Sequence, residues 1–121
     1  MIVFKLLTEA EAAALATDGR FAGSPDDAAD GFVHLSTAEQ VPGTAAKHFA
    51  GRGPLVLVAL DADRLGEALK WEPSRGGALF PHLYRGIEAG DVLWQAAYGP
   101  DASGTWPVPG AVAPAADGGA A

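Results

Sequence analysis

The chain has no cysteine and a single methionine. Disulfides, thiolate nucleophiles and thiolate-bound zinc are thereby excluded, although cysteine count alone says little about compartment. Basic side chains are scarce as well. Eight Lys and Arg stand against 15 Asp and Glu, for a formal net charge of -7. A surface of that sign repels a phosphate backbone, so broad nucleic-acid binding is not expected, while a local basic pocket for one small anion is compatible with it. No apolar run approaches the ~20 residues that span a bilayer, and no membrane association is expected. The opening Met1-Ile2-Val3-Phe4-Lys5 lacks the basic lead and long apolar region of a signal peptide, so a cytoplasmic location is expected. No P-loop or dinucleotide glycine fingerprint occurs: Gly19 and Gly23 do not have the spacing. What is present, 121 residues at 49% hydrophobic, suits one domain with a single core.

Ile2 to Leu7 reads as a first strand, and Thr8 with Glu11 forms a capping-box pair that opens a helix to about Thr17. Phe21 to Asp30 mixes Gly, Ser, Pro and Asp and reads as a loop. Phe32 to Ser36 is strand-like. Thr37 with Gln40 repeats the capping pattern ahead of a second helix to about Ala50, with Pro42 in its first turn. Pro54 to Leu60 is unbroken apolar, the mark of a strand covered on both faces. A short Asp-capped helical turn follows over Asp61 to Gly66, then strands at Leu69 to Glu72, around His82, and at Val92 to Tyr98. This order predicts a compact α+β domain over residues 1–98, with a mixed or antiparallel sheet and two main helices. From Gly99 onward Gly, Ala and Pro dominate, which predicts a largely disordered tail over 99–121.

The strongest functional lead is a pair of strand-like segments, Gly31-Phe32-Val33-His34-Leu35-Ser36 and Phe80-Pro81-His82-Leu83-Tyr84. Period-two alternation puts Phe32, His34 and Ser36 on one face, and Phe80, His82 and Tyr84 on one face. Each offers an aromatic, an imidazole and a hydroxyl in a row, which suits a pocket better than a core. His34 and His82 are candidate acid–base or hydrogen-bonding groups. Glu72, between Trp71 and Pro73 at a strand end, is a candidate general base or a solvated charge. Arg75 on the Ser74-Arg75-Gly76-Gly77 loop is a candidate clamp for phosphate or carboxylate, or equally a surface arginine. Lys5 either snorkels to water or points into a site. Asp30 reads as a turn residue and His48 as a structural cation near a helix C-terminus. His34, His82 and Glu72 have ligand types for a metal, but no metal-ligand spacing accompanies them, and none is expected.

In this order the segments resemble the DUF952 family of small bacterial proteins. The resemblance is carried by Val3-Phe4-Lys5-Leu6-Leu7-Thr8, Asp30 through Thr37 with Gln40, Leu55-Val56-Leu57-Val58 and Asp61, Trp71-Glu72-Pro73, and Gly76 through Tyr84. It spans residues 2 to 96. Arg85 is a departure, since the family usually has glycine there, and it is expected to add a cation near the pocket. The family is distantly similar to the ADP-ribosyltransferase fold, a split pair of small sheets gripping NAD. Its RNA 2′-phosphotransferase branch has a His-Val-His-Leu-Ser stretch resembling residues 32–36. The resemblance implies that Lys5 faces the dinucleotide from the first strand and that His34 and Ser36 hold the nicotinamide ribose. It further implies that Glu72 orients a ribose hydroxyl or nucleophile, with Phe80 or Tyr84 stacking on a base.

Three readings follow: ADP-ribosyl transfer or hydrolysis on NAD or a relative, a non-catalytic module for a nucleotide or small anion, and a structural partner domain. The first requires Glu72 to project into the cavity shared by His34 and His82. The second requires the cavity alone, and the third requires both imidazoles to be buried and saturated.

Overall fold

The computed structural model describes residues 1–112, with the side chains of Arg75, Ala111 and Val112 outside the description. Its framework is a three-stranded antiparallel sheet in the order β1–β4–β8, formed by Ile2–Thr8, Leu55–Asp61 and Val92–Tyr98. The apolar run of β4 is central, as its composition requires. Val58 and Leu60 bury into one core, while Leu55, Leu57 and Ala59 bury into another on the opposite face. Strand β1 divides in the same way, with Val3 and Leu7 on one side and Phe4 and Leu6 on the other. Helix α1 (Glu9–Asp18) starts where Thr8 and Glu11 exchange their side-chain caps, and its Leu15 closes the first core.

The segment expected to be a loop is instead ordered. Arg20–Phe21 is β2, and Pro25–Asp30 is a helix, α2. Ser24 caps α2 by accepting from the Asp27 N–H, Asp27 answers by accepting from the Ser24 N–H, and Pro25 takes the first-turn position that needs no donor. Loop-like composition therefore hid a complete helix-start signature. Gly31 ends α2 at φ 87°, a left-handed conformation that a side chain would strain.

The expected Phe32–Ser36 strand is shorter and changes partner midway. Only Val33–His34 is strand, β3, pairing with β6 (Leu79–Leu83). Leu35 still donates to the Pro81 carbonyl, but Ser36 pairs with Phe4 of β1 through two backbone bonds of 2.8 and 2.9 Å. That bridge joins the framework to a second three-stranded antiparallel sheet, β3–β6–β5, whose edge is β5 (Leu69–Pro73). The β5–β6 hairpin turns through Gly76 at φ 69°. Ile87–Glu88, β7, pairs only with β2.

Thr37 and Gln40 make their reciprocal bonds, yet they close a turn rather than the helix itself; α3 runs over Val41–Phe49. Asp61 caps the short α4 (Ala62–Leu65), as expected. The chain is thus α+β with antiparallel pairing throughout and four α-helices among the described residues. None of these helices is long and apolar enough to cross a membrane. Beyond Tyr98 the chain folds back. Asp101 organises a turn with Ser103 and Thr105, Trp106 stacks on Tyr98 at 5.6 Å, and Tyr98 Oη donates to the Pro107 carbonyl. The rest of the expected tail, residues 113–121, lies outside the described residues.

Because β4 carries both cores, truncating it is expected to be costly. Leu60→Ala should lose about 2–5 kcal/mol in urea unfolding, whereas Leu93→Ala on the exposed side of β8 should stay within about 0.5 kcal/mol.

Candidate functional site

Lys5 is the first element of the site and its least expected burial. It is 8% exposed on the face of β1 that also carries Val3 and Leu7, with its Nζ 5.9 Å from the centre of the Phe21 ring. A buried ammonium needs a buried counter-charge, and α2 supplies it. Asp27, only 2% exposed, receives Lys5 Nζ at 3.2 Å on Oδ1 and 3.0 Å on Oδ2. Lys5 also donates to the His34 carbonyl at 3.1 Å. Asp27 accepts further from the Ser24 N–H at 2.8 Å, the His34 N–H at 3.0 Å and His34 Nδ1 at 2.6 Å. Lys5 therefore neither snorkels nor stands free; it is locked into a network of β1, α2 and β3.

Burial alone would push the Asp27 carboxyl up. The His34 hydrogen bond, the Lys5 charge and the backbone N–H donors outweigh it, and the group is held well below the usual carboxylate range. His34 is shifted the other way. Its bond to Asp27 raises the imidazole above its ordinary value of 6.5, against the opposing effects of burial and Lys5. The second ring nitrogen, Nε2, lies 2.9 Å from Asp30 Oδ2. Asp30 is thus more than a turn residue.

Register builds the other half. His34 stands directly opposite His82, with ring centres 5.7 Å apart, and Phe32 stacks on His82 at 4.0 Å. His82 is 4% exposed. Its Nδ1 lies 2.8 Å from Glu72 Oε1, the oxygen that also accepts from Tyr84 Oη at 2.8 Å. Both donors hold Glu72 below the usual carboxylate range, and Glu72 in turn raises the Tyr84 phenol. A carboxylate only accepts, so Nδ1 carries a proton and Nε2 is left over. No other described residue bonds that nitrogen.

The two halves meet at a cavity of about 360 Å³ at the seam between the sheets. Of the residues singled out in the sequence, Lys5, Asp30, His34, Ser36, His48, Phe80 and His82 line it. Glu72 and Tyr84 do not line it; Glu72 holds His82 instead, and Tyr84 donates to Glu72. The Arg75 side chain lies outside the described residues. Arg85 is not on the wall either, because its guanidinium forms a two-pronged pair with Asp91 at 2.8 and 3.1 Å. Sequence reasoning missed Asp27, whose signal was the Ser24-to-Asp27 capping spacing. It also missed Thr44 and Lys47 of α3, and it read His48 as structural; Lys47 and His48 line the cavity one helical turn from Thr44. Ser36 Oγ meets Thr44 Oγ1 at 3.1 Å, which ties α3 to the bridge. Among the described residues, no group of three or more His, Cys, Asp or Glu is arranged to hold a metal ion.

The network has a definite pH signature. A folded-state carboxyl value below the unfolded one gives Asp27 a stabilising contribution present above the ordinary 3.8 and lost as pH falls below it. A raised imidazole value gives His34 a contribution present below 6.5 and lost as pH rises through the folded value. Asp27→Asn is expected to flatten both limbs of the stability–pH curve. It should also cost about 3–5 kcal/mol at neutral pH, since Lys5 then lacks its partner. Urea unfolding across the pH range checks this, and an unchanged profile would refute it.

Comparison with known proteins fits this geometry into a family. The family model described as protein of unknown function, DUF952, matches residues 6–95. The chain is similar to protein CC0527 from Caulobacter crescentus. The crystal structure of that protein superposes with a TM-score of 0.82 at 50% identity, covering 88% of this chain and 94% of that one. Its solution NMR structure gives 0.80 at 49% identity, covering 93% and 97%. No curated protein matches the chain. On the family match and on these likenesses, the chain belongs to the DUF952 family.

Proposed function

We propose that the seam cavity binds a small nucleotide-like molecule. One observation carries this reading: His34 and His82, from separate segments, stand opposite each other in register, and both line one cavity of about 360 Å³. That volume lies within the range of small-molecule sites, roughly 300–1,000 Å³. The walls divide by chemistry. Phe4, Phe49 and Phe80 offer apolar surface for a planar ring, while Ser36, Thr44 and Lys47 offer hydroxyl and cationic partners for a sugar or an anionic group. A purely structural reading is less well supported, because His82 Nε2 is without a protein partner among the described residues.

ADP-ribosyl transfer or hydrolysis on NAD is a second reading. The division into two three-stranded sheets, bridged at Phe4 and Ser36 with Lys5 and His34 beside the bridge, favours it. In this reading Glu72 acts through His82, not on the ribose directly. Glu72 fixes Nδ1–H, and Nε2 takes the proton from an attacking water or hydroxyl. The oxygen then bonds to the anomeric carbon as the glycosidic bond breaks, and its electron pair leaves with nicotinamide.

Thermal-shift titration with NAD, ADP-ribose and AMP tests the binding. Ligand at 100 times its dissociation constant should stabilise the protein by about 2.7 kcal/mol. Lys47→Ala, an exposed change, should weaken that binding by about fivefold. Absence of a shift with all three nucleotides would overturn the proposal. Nicotinamide release from NAD separates the readings: under the enzymatic one, Glu72→Gln keeps binding but loses turnover by a factor on the order of 100.

A further inference from the structure

We propose that Asp30 is a built-in competitor for the ligand's anionic group. Its carboxylate occupies the place on His34 Nε2 that a phosphate or carboxylate of the ligand takes, and it swings aside when that group arrives. The inference rests on the small-molecule reading above and narrows it to an anionic ligand.

Both nitrogens of His34 lie within hydrogen-bond distance of carboxylate oxygens, Nδ1 at 2.6 Å from Asp27 and Nε2 at 2.9 Å from Asp30. Two acceptor-only partners require two N–H groups, so the ring is an imidazolium. The Asp27 carboxylate already balances Lys5. The imidazolium charge is therefore surplus within the buried network, and Asp30 meets it from the cavity side. The two carboxylates are not held alike. Asp27 is buried and accepts from β1, β3 and its own helix cap, whereas the Asp30 side chain is 54% exposed. Asp30 makes no other side-chain hydrogen bond among the described residues. It also sits at the last position of α2, the end of a helix that disfavours a negative charge. Among the described residues only His34 holds the carboxylate there, and rotation about its own side-chain bonds frees Nε2–H.

An anion entering the cavity would meet that N–H together with Lys47, which lines the cavity and has no ion-pair partner among the described residues. Asp30 and His34 both line the cavity, so the exchange takes place on its wall. A neutral ligand has no group to compete for His34 and should be indifferent to Asp30.

Calorimetric titration with AMP and with adenosine, on the wild-type protein and on Asp30→Asn, tests this. Asn is isosteric but neutral, a weaker competitor for the imidazolium. AMP should bind Asp30→Asn about fivefold more tightly than wild type, the scale of one partly exposed ion pair, while adenosine affinity should not change. Nitrogen-15 spectra of the His34 ring give a second readout. Both nitrogens should be protonated in the free protein, and AMP should move the Nε2 resonance while sparing Nδ1. Equal or weaker AMP binding by Asp30→Asn would overturn this inference and leave the cavity reading standing. Failure of both AMP and adenosine to bind either protein would overturn the cavity reading and this inference together.

Discussion

A single buried carboxylate organises this molecule. Asp27 reaches β1 through Lys5, β3 through the His34 N–H and ring, and its own helix through the Ser24 cap. Those contacts span the two sheets, since β1 belongs to one and β3 to the other. Burying an ammonium among valine and leucine side chains is unfavourable unless a charge is buried with it and the remaining lone pairs are satisfied. Asp27 meets that demand with donors on both oxygens. The placement of α2, the inward course of Lys5 and the orientation of His34 are therefore one constraint. A hydrophobic replacement of the pair would fill the space but would leave His34 without the partner that sets its ring.

The second sheet then separates core from site. In β3–β6–β5, Val33 and Leu83 face the first core, and the alternate residues His34, His82 and Glu72 face the other way. A slip of one residue would exchange the two sets, so core packing holds the imidazole pair in register. The partner switch at Leu35 and Ser36 matters equally. By leaving β6 for β1, the chain brings the His34 strand against the framework, and α3 closes over the junction through Ser36 and Thr44.

Much of this was legible in the residues. The β4 run declared a strand covered on both faces, the Thr8–Glu11 pair declared α1, and alternation placed His34 and His82 on exposed-to-cavity faces of their segments. What was hidden had particular causes. Ser24, Pro25 and Asp27 form a helix start as clear as that of α1, but Gly23 and the surrounding Asp and Ser residues read as loop. Asp27 carries no sign in sequence that it would be buried, because its burial depends on Lys5, 22 residues earlier. Glu72 at its strand end was a candidate general base, yet its place beside His82 and off the cavity wall depends on a diagonal reach that only register determines. His48 looked like a dipole partner of α3; its place on the cavity wall, with Lys47, follows from how α3 docks on β1.

The same residue type thus plays opposite parts on one wall. His34 has a carboxylate at each nitrogen, Asp27 from the buried network and Asp30 from the cavity wall. His82, with its Nδ1 fixed by Glu72 and its face covered by Phe32, has one nitrogen left to accept a hydrogen bond or a proton. With ring centres 5.7 Å apart, one small molecule can span both. Such a molecule would present an acceptor, best an anion, to His34 and a hydroxyl or amine to His82. The two imidazoles of this wall therefore differ in their holding: one meets a carboxylate at each nitrogen, the other at a single nitrogen.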